Sequence, residues 1–208
     1  MTDSSTRSSR KPPDRLRRRW LRGLLAAGLV AGLGTGAGPA QAAEAEIRNI
    51  VLQPSDDQYI LNADVVAELT PLLADVVGRG VSLYFITEFE LTAPRWYWLD
   101  EEIITRSLTY RLSYQSLTRQ YRLTTGALHQ NFTSLEEAMR TMLRIRNWGI
   151  ADKGALKIGR SYNAALRFRL DVGELPKPLQ VSALGRKDWN LASDWYRWTF
   201  MPPTRDSK

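Results

Sequence analysis

The sequence predicts a mainly β (α+β) domain. The expected architecture is an antiparallel β-sandwich, Ig-like in outline, with one clear helix over about 134–147 and one short helix over about 70–78. Three observations predict it. Apolar and polar residues alternate through most of the chain, which is the period of a half-buried strand. Short turn-forming stretches separate these runs, so neighbouring strands are expected to pair antiparallel. A single stretch keeps firm helical spacing behind a capping box. Two sets of such strands would have to cover each other's apolar faces.

Taken in order, residues 46–52 (EIRNIVL) and 58–69 (QYILNADVVAEL) read as strands, with Pro54-Ser55-Asp56-Asp57 as the turn between them. Tyr59, Leu61, Ala63 and Val65 share one face of the second. Thr70-Pro71 looks like an N-cap followed by proline at the first helical position, and Gly78 and Gly80 would end that helix. Residues 81–91 alternate again, with Leu83, Phe85, Phe89 and Leu91 together. The run 103–125 is the longest strand signal. Its parity changes between Leu108-Tyr110-Leu112-Tyr114 and Leu117-Tyr121-Leu123, which calls for a bulge or turn near Gln115-Ser116. Gly126 turns the chain back into 127–132.

Ser134 and Glu137 form the capping box of the main helix, and Leu135, Ala138, Met139, Met142 and Leu143 make its apolar stripe. Arg140, Arg144 and Arg146 suit its C-terminal half. Residues 161–172 form a strong half-buried strand, with Tyr162, Ala164, Leu166, Phe168, Leu170 and Val172 on one side. Leu175-Pro176-Lys177-Pro178 reads as a rigid connector, 179–183 as a short strand, and Trp189 as the start of the last strand.

The first 42 residues are different in kind. They hold a basic stretch (RLRRRWLR, 15–22), an apolar run (GLLAAGLVAGL, 23–33) and a small-x-small site at Ala40-Gln41-Ala42. This is the layout of a cleavable signal peptide, with the cut expected after Ala42 and a single globular domain with a short flexible tail over 43–208. The expected destination is the periplasm. The alternative is a retained N-terminal anchor, but the Gly- and Pro-rich second half of the apolar stretch suits a spanning helix poorly. Arg17-Arg18-Arg19-Trp20-Leu21-Arg22 also resembles a twin-arginine signal; general secretion is the simpler route.

The net charge of +7 is concentrated in that leader. Residues 1–42 carry eight Lys/Arg and two acids, whereas the rest carries 21 basic and 20 acidic residues. A near-neutral domain lacks the field that drives phosphate-backbone binding, so no nucleic-acid partner is expected. The absence of cysteine removes the lipobox cysteine, and with it a lipid anchor. It also excludes cysteine nucleophiles and, with one histidine, a His/Cys zinc site. His129 sits in a predicted hairpin away from any G-x-S-x-G, so no serine triad is expected. No catalytic residue, metal or cofactor is assigned. Glu88, Glu90, Asp100 and Glu101 flank an aromatic-rich segment and are the candidate carboxylates for a hydrolase, and solvated strand edges and a turn explain them more simply.

Aromatic residues are the surplus. Six of the seven tryptophans lie beyond residue 42. In DWNLASDWYRW (188–198), strand alternation puts Trp189, Leu191, Ser193 and Trp195 on one face, so Trp189 and Trp195 are expected in the core. Tyr196 and Trp198 point the other way and are the expected binding pair. A second candidate surface is Arg95, Trp96 and Trp98, where a planar guanidinium could stack on indole.

The same stretches carry a resemblance. PRWYWLDEE, LTYRLSYQSLTRQYRL, SLEEAM, RFRLDVGELPKPLQV and DWNLASDWYRW together resemble an exported proteobacterial family known only as domain of unknown function 4390, over about 47–198. The resemblance implies no activity and no catalytic residues. It does imply a setting, beside a membrane sensor histidine kinase and its response regulator, and so an extracytoplasmic partner in the envelope or inner membrane. Three readings follow in order: a non-catalytic protein-binding module, an envelope-glycan or small-molecule binder, and a carboxylate-based hydrolase.

Overall fold

The computed structural model describes residues 43–95, 97 and 101–203. The expected leader, and the sequence-predicted Trp96, Trp98 and Asp100, lie outside the described residues.

The chain is mainly β, but it is one continuous curled sheet of mixed direction, a half-barrel, and not an Ig-like antiparallel sandwich. The strands are β1 (Ala43–Pro54), β2 (Gln58–Val66), β3 (Leu83–Ala93), β4 (Glu101–Gln115), β5 (Gln120–Thr125), β6 (Leu128–Phe132), β7 (Arg144–Asp152), β8 (Tyr162–Leu170), β9 (Leu191–Ser193) and β10 (Tyr196–Phe200). Their order is β6-β5-β4-β3-β8-β9-β1-β2-β7, with β10 joined to β8. The expectation of short-range antiparallel hairpins holds for β1–β2, β3–β4, β4–β5 and β5–β6. It fails at one place: β1 pairs parallel with β9, through Ala43–Ala45 and Leu191–Ser193. That pairing joins the two ends of the domain, and no local sequence pattern encodes it.

β1 is also where the sheet turns. After Ala45 it leaves β9 and pairs with β2 from Glu46 to Pro54, across a bulge between Arg48 and Val51. Asn49 takes the left-handed φ of 51° there. The β1–β2–β7 leaf thereby folds over the inner face of β3 and β8. Tyr59 meets Phe200 edge-on at 5.7 Å, and Phe89 meets Trp148 at 6.4 Å.

The inner face follows strand alternation. Leu83, Phe85, Phe89 and Leu91 on β3, and Tyr162, Ala164, Leu166 and Phe168 on β8, are buried. Phe85 stacks on Phe168 at 5.7 Å with the rings 7° apart. Burying each such ring contributes roughly 1.5–3 kcal/mol. The turn expected near Gln115-Ser116 is present between β4 and β5, and it leaves Leu117 fully exposed. Gly126, at φ 56°, makes the tight turn into β6.

Helix α1 spans Pro71–Gly78; its N-cap Thr70 accepts from the Leu73 N–H and donates to the Asp188 carbonyl at 2.8 Å. Helix α2 spans Leu135–Met142, five residues short of its expected end. Ser134 Oγ accepts from the Glu137 N–H as the capping box requires. The helix stops because Arg144-Ile145-Arg146 switches to period two and pairs with β2, burying Ile145. A bulge at Asn147, φ 51°, completes the change of structure. Helix α3 spans Lys177–Ala183, where a connector and short strand were expected. Proline in its first turn starts the helix and leaves no lost hydrogen bond.

A candidate binding site at the β9–β10 break

β9 and β10 lie end to end along one edge of β8, separated by Asp194 and Trp195. Within each strand alternation holds, but the two intervening residues reset the chain. The single strand expected from Trp189 to Trp198 therefore does not exist. Trp189 lies in a 3-10 turn before β9 and is 3% exposed, with its indole N–H lacking a partner. Trp195, expected in the core, is half-buried on the outer face instead, with the Arg167 guanidinium 5.9 Å from its ring centre. The break explains the correction, because it ends the face that Leu191 and Ser193 share.

Tyr196, Trp198 and Phe200 stand opposite Leu166, Ala164 and Tyr162 of β8, which puts them on the inner side and not on the outward face expected, because the break at Asp194-Trp195 shifts the alternation by one. Phe200 is buried. Trp198 is half-buried, 6.2 Å from Phe89. Tyr196 is 47% exposed and 5.9 Å from Trp198. The rings thus run from core to surface along one strand. Phe89 also meets Trp148, at 6.4 Å, so one buried ring touches both tryptophans. The sequence expectation ends the helix near Asn147 and assigns nothing to Trp148; the period-two run that begins at Arg144 was the available signal.

Below Tyr196 the sheet forks. β1 leaves β9 after Ala45, so the edge of β10 that faces away from β8 has no strand beside it among the described residues. A cleft of about 550 Å³ occupies the fork, lined chiefly by Glu44, Glu46, Val66, Asp194, Trp195 and Tyr196. Glu46 is engaged by Arg48. The Arg48 guanidinium lowers the Glu46 carboxyl from its ordinary value through their hydrogen bond.

The other predicted residues are placed elsewhere. Arg95 is exposed and pairs with Glu101 at 2.8 Å, and Arg160 lies 3.8 Å from the same carboxylate. The Arg95 hydrogen bond holds the Glu101 carboxyl below its ordinary range. Glu88 lies on the outer face and takes a 2.8 Å bond from Arg169, whose guanidinium it raises. Glu90 is exposed one pair further along β3. A general acid for glycoside hydrolysis must keep its proton near neutrality, and the environment of Glu101 works in the opposite direction. His129 is exposed on β6, 3.0 Å from the Thr124 hydroxyl. Among the described residues, no three His, Cys, Asp or Glu side chains cluster to hold a metal. None of the described helices is long and apolar enough to cross a membrane.

Fold and site together define a mainly β domain, built on one curled mixed sheet, with aromatic side chains graded from core to surface at a broken strand. The chain belongs to the family described as domain of unknown function DUF4390, whose model matches residues 42–199. No curated protein and no solved structure matches it.

Proposed function

We propose that this chain is an exported, non-catalytic binding module that holds a protein of the cell envelope through the aromatic surface of β10. The observation that carries the reading is the placement of Tyr196: it is exposed, yet backed by Trp198, which is backed in turn by the fully buried Phe89. A ring held from behind loses little freedom on binding, and such aromatic anchors supply most of the energy at protein interfaces. The ion pairs at Glu88 and Glu101 support binding or structural roles for these carboxylates over acid catalysis.

Export supplies the compartment in this reading. Cleavage after Ala42 leaves Ala43 as the new N-terminus, at the first residue of β1. The kinase-linked setting implied by the family resemblance names the first partner to try, the extracytoplasmic region of a membrane sensor histidine kinase. The test is cross-linking capture from the cell envelope with the tagged chain. Tyr196→Ala should lower recovery of the captured protein about tenfold while leaving the melting temperature nearly unchanged. Undiminished capture by a folded Tyr196→Ala chain would remove β10 from the interface.

A further inference from the structure

The fork beside β10 has a chemistry of its own. In β8, the Phe168 N–H points toward β9, where it donates to Ser193 Oγ at 3.0 Å. The Asp171 N–H points the other way, to the Tyr84 carbonyl of β3's flank at 2.7 Å. Peptide groups alternate along a strand, so Tyr162, Ala164 and Leu166 direct theirs to β10. Their partners Phe200, Trp198 and Tyr196 answer them. The N–H and C=O groups of Arg197 and Thr199 must then face outward, along the edge that β1 abandons.

An unpaired strand edge is a template for another chain, and a pocket beside it selects side chains. Here the pocket is the cleft of the fork. Its exposed carboxylates Glu44 and Asp194 enter no ion pair among the described residues, and Trp195 and Tyr196 line the same space. Arg167 already rests on Trp195, so the ring accepts a cation within this molecule.

We infer that the outward edge of β10 is a strand-addition site for an extended basic segment of the bound protein. Backbone groups of Arg197 and Thr199 receive the strand, and the cleft at Glu44, Asp194 and Tyr196 receives a lysine or arginine side chain. This inference rests on the binding reading above and specifies what the partner presents.

The probe is a short peptide alternating lysine and valine, with two controls: glutamate in place of lysine, and backbone N-methylation along one edge. Amide hydrogen exchange of the purified chain is measured with each. The lysine peptide should slow exchange at Arg197 and Thr199 about tenfold, and both controls should leave it unchanged. Thr199→Pro removes an outward N–H without touching the β8 ladder, and should abolish the protection. If that variant fails to fold, Glu44→Gln with Asp194→Asn should weaken the peptide about tenfold in its place. Equal protection by the glutamate peptide, or none by the lysine peptide at saturation, overturns the inference. Tyr196-dependent capture with unprotected β10 amides also overturns it, while the binding reading survives. Protected amides with no captured envelope protein support the site and count against the proposed partner.

Discussion

β3 and β10 both pair antiparallel with β8, along opposite edges, and their surroundings differ sharply. β3 makes eight register pairs with β8, and β4 seals its other side, so its inner residues Leu83, Phe85, Phe89 and Leu91 are wholly buried. β10 makes five pairs, has no strand among the described residues on its other side, and its inner residues grade from buried Phe200 to exposed Tyr196. The same ladder and the same neighbour thus produce a structural strand and a candidate binding strand. What differs is whether a second neighbour is present. Stability should therefore be concentrated in β3 and its partners, and sensitivity to a ligand in β10.

The sharpest way to break this contrast is Phe89→Ala. It removes a ring that touches both Trp148 and Trp198, and should cost about 3–5 kcal/mol in denaturant unfolding. A cost near that of a surface change would mean that β3 is not the structural strand.

The next effect is alkaline. Tyr110 of β4 is buried opposite Phe85, and burial pushes its phenol from 10.0 up to about 12. The folded chain then holds the proton more tightly than the unfolded one. The associated stability is complete below the unfolded value and disappears as pH rises through about 12, a loss of about 3 kcal/mol. Denaturation midpoints across that window should fall more steeply in the natural chain than in Tyr110→Phe.

Trp198→Ala should cost about 1–2 kcal/mol, less than Phe89→Ala, because its side chain is only partly buried. Its effect on partner capture should exceed its effect on unfolding; the reverse order would make Trp198 a core residue. Glu88→Gln, on the outer face, should cost about 0.5 kcal/mol, since a partly exposed ion pair adds little and Asp171 remains 3.6 Å from Arg169. A loss several times larger would show that the outer face carries part of the fold.

Much of the central sheet could be read from alternation alone. The faces of β3 and β8 follow their sequence parity residue by residue, β2 departs from it only at buried Ile60, and Thr70 and Ser134 cap the helices expected of them. Local rules failed where pairing partners decide. Arg144 and Arg146 suit the end of a helix equally well, and only contact with β2 makes them strand. Pro178 reads as a connector until the turns of α3 form around it. The candidate site was half legible. Tyr196 and Trp198 stand out in the sequence as aromatic residues, but parity across an unbroken strand puts them on the wrong face, and the cleft needs Glu44 and Asp194, which lie far apart in the chain and meet only through the parallel pairing of β1 with β9.

That parallel pairing also sets when the domain can finish folding. Its first strand must wait for Leu191–Ser193, nearly the whole chain away, before the sheet is continuous. Contacts this distant in sequence form late and slowly, because the closing entropy of the intervening chain comes first. Until then the hairpins of β3 through β6 can assemble, but β1 has no neighbour on its β9 side. A chain emerging N-terminus first would thus leave its sheet incomplete until β9 had followed.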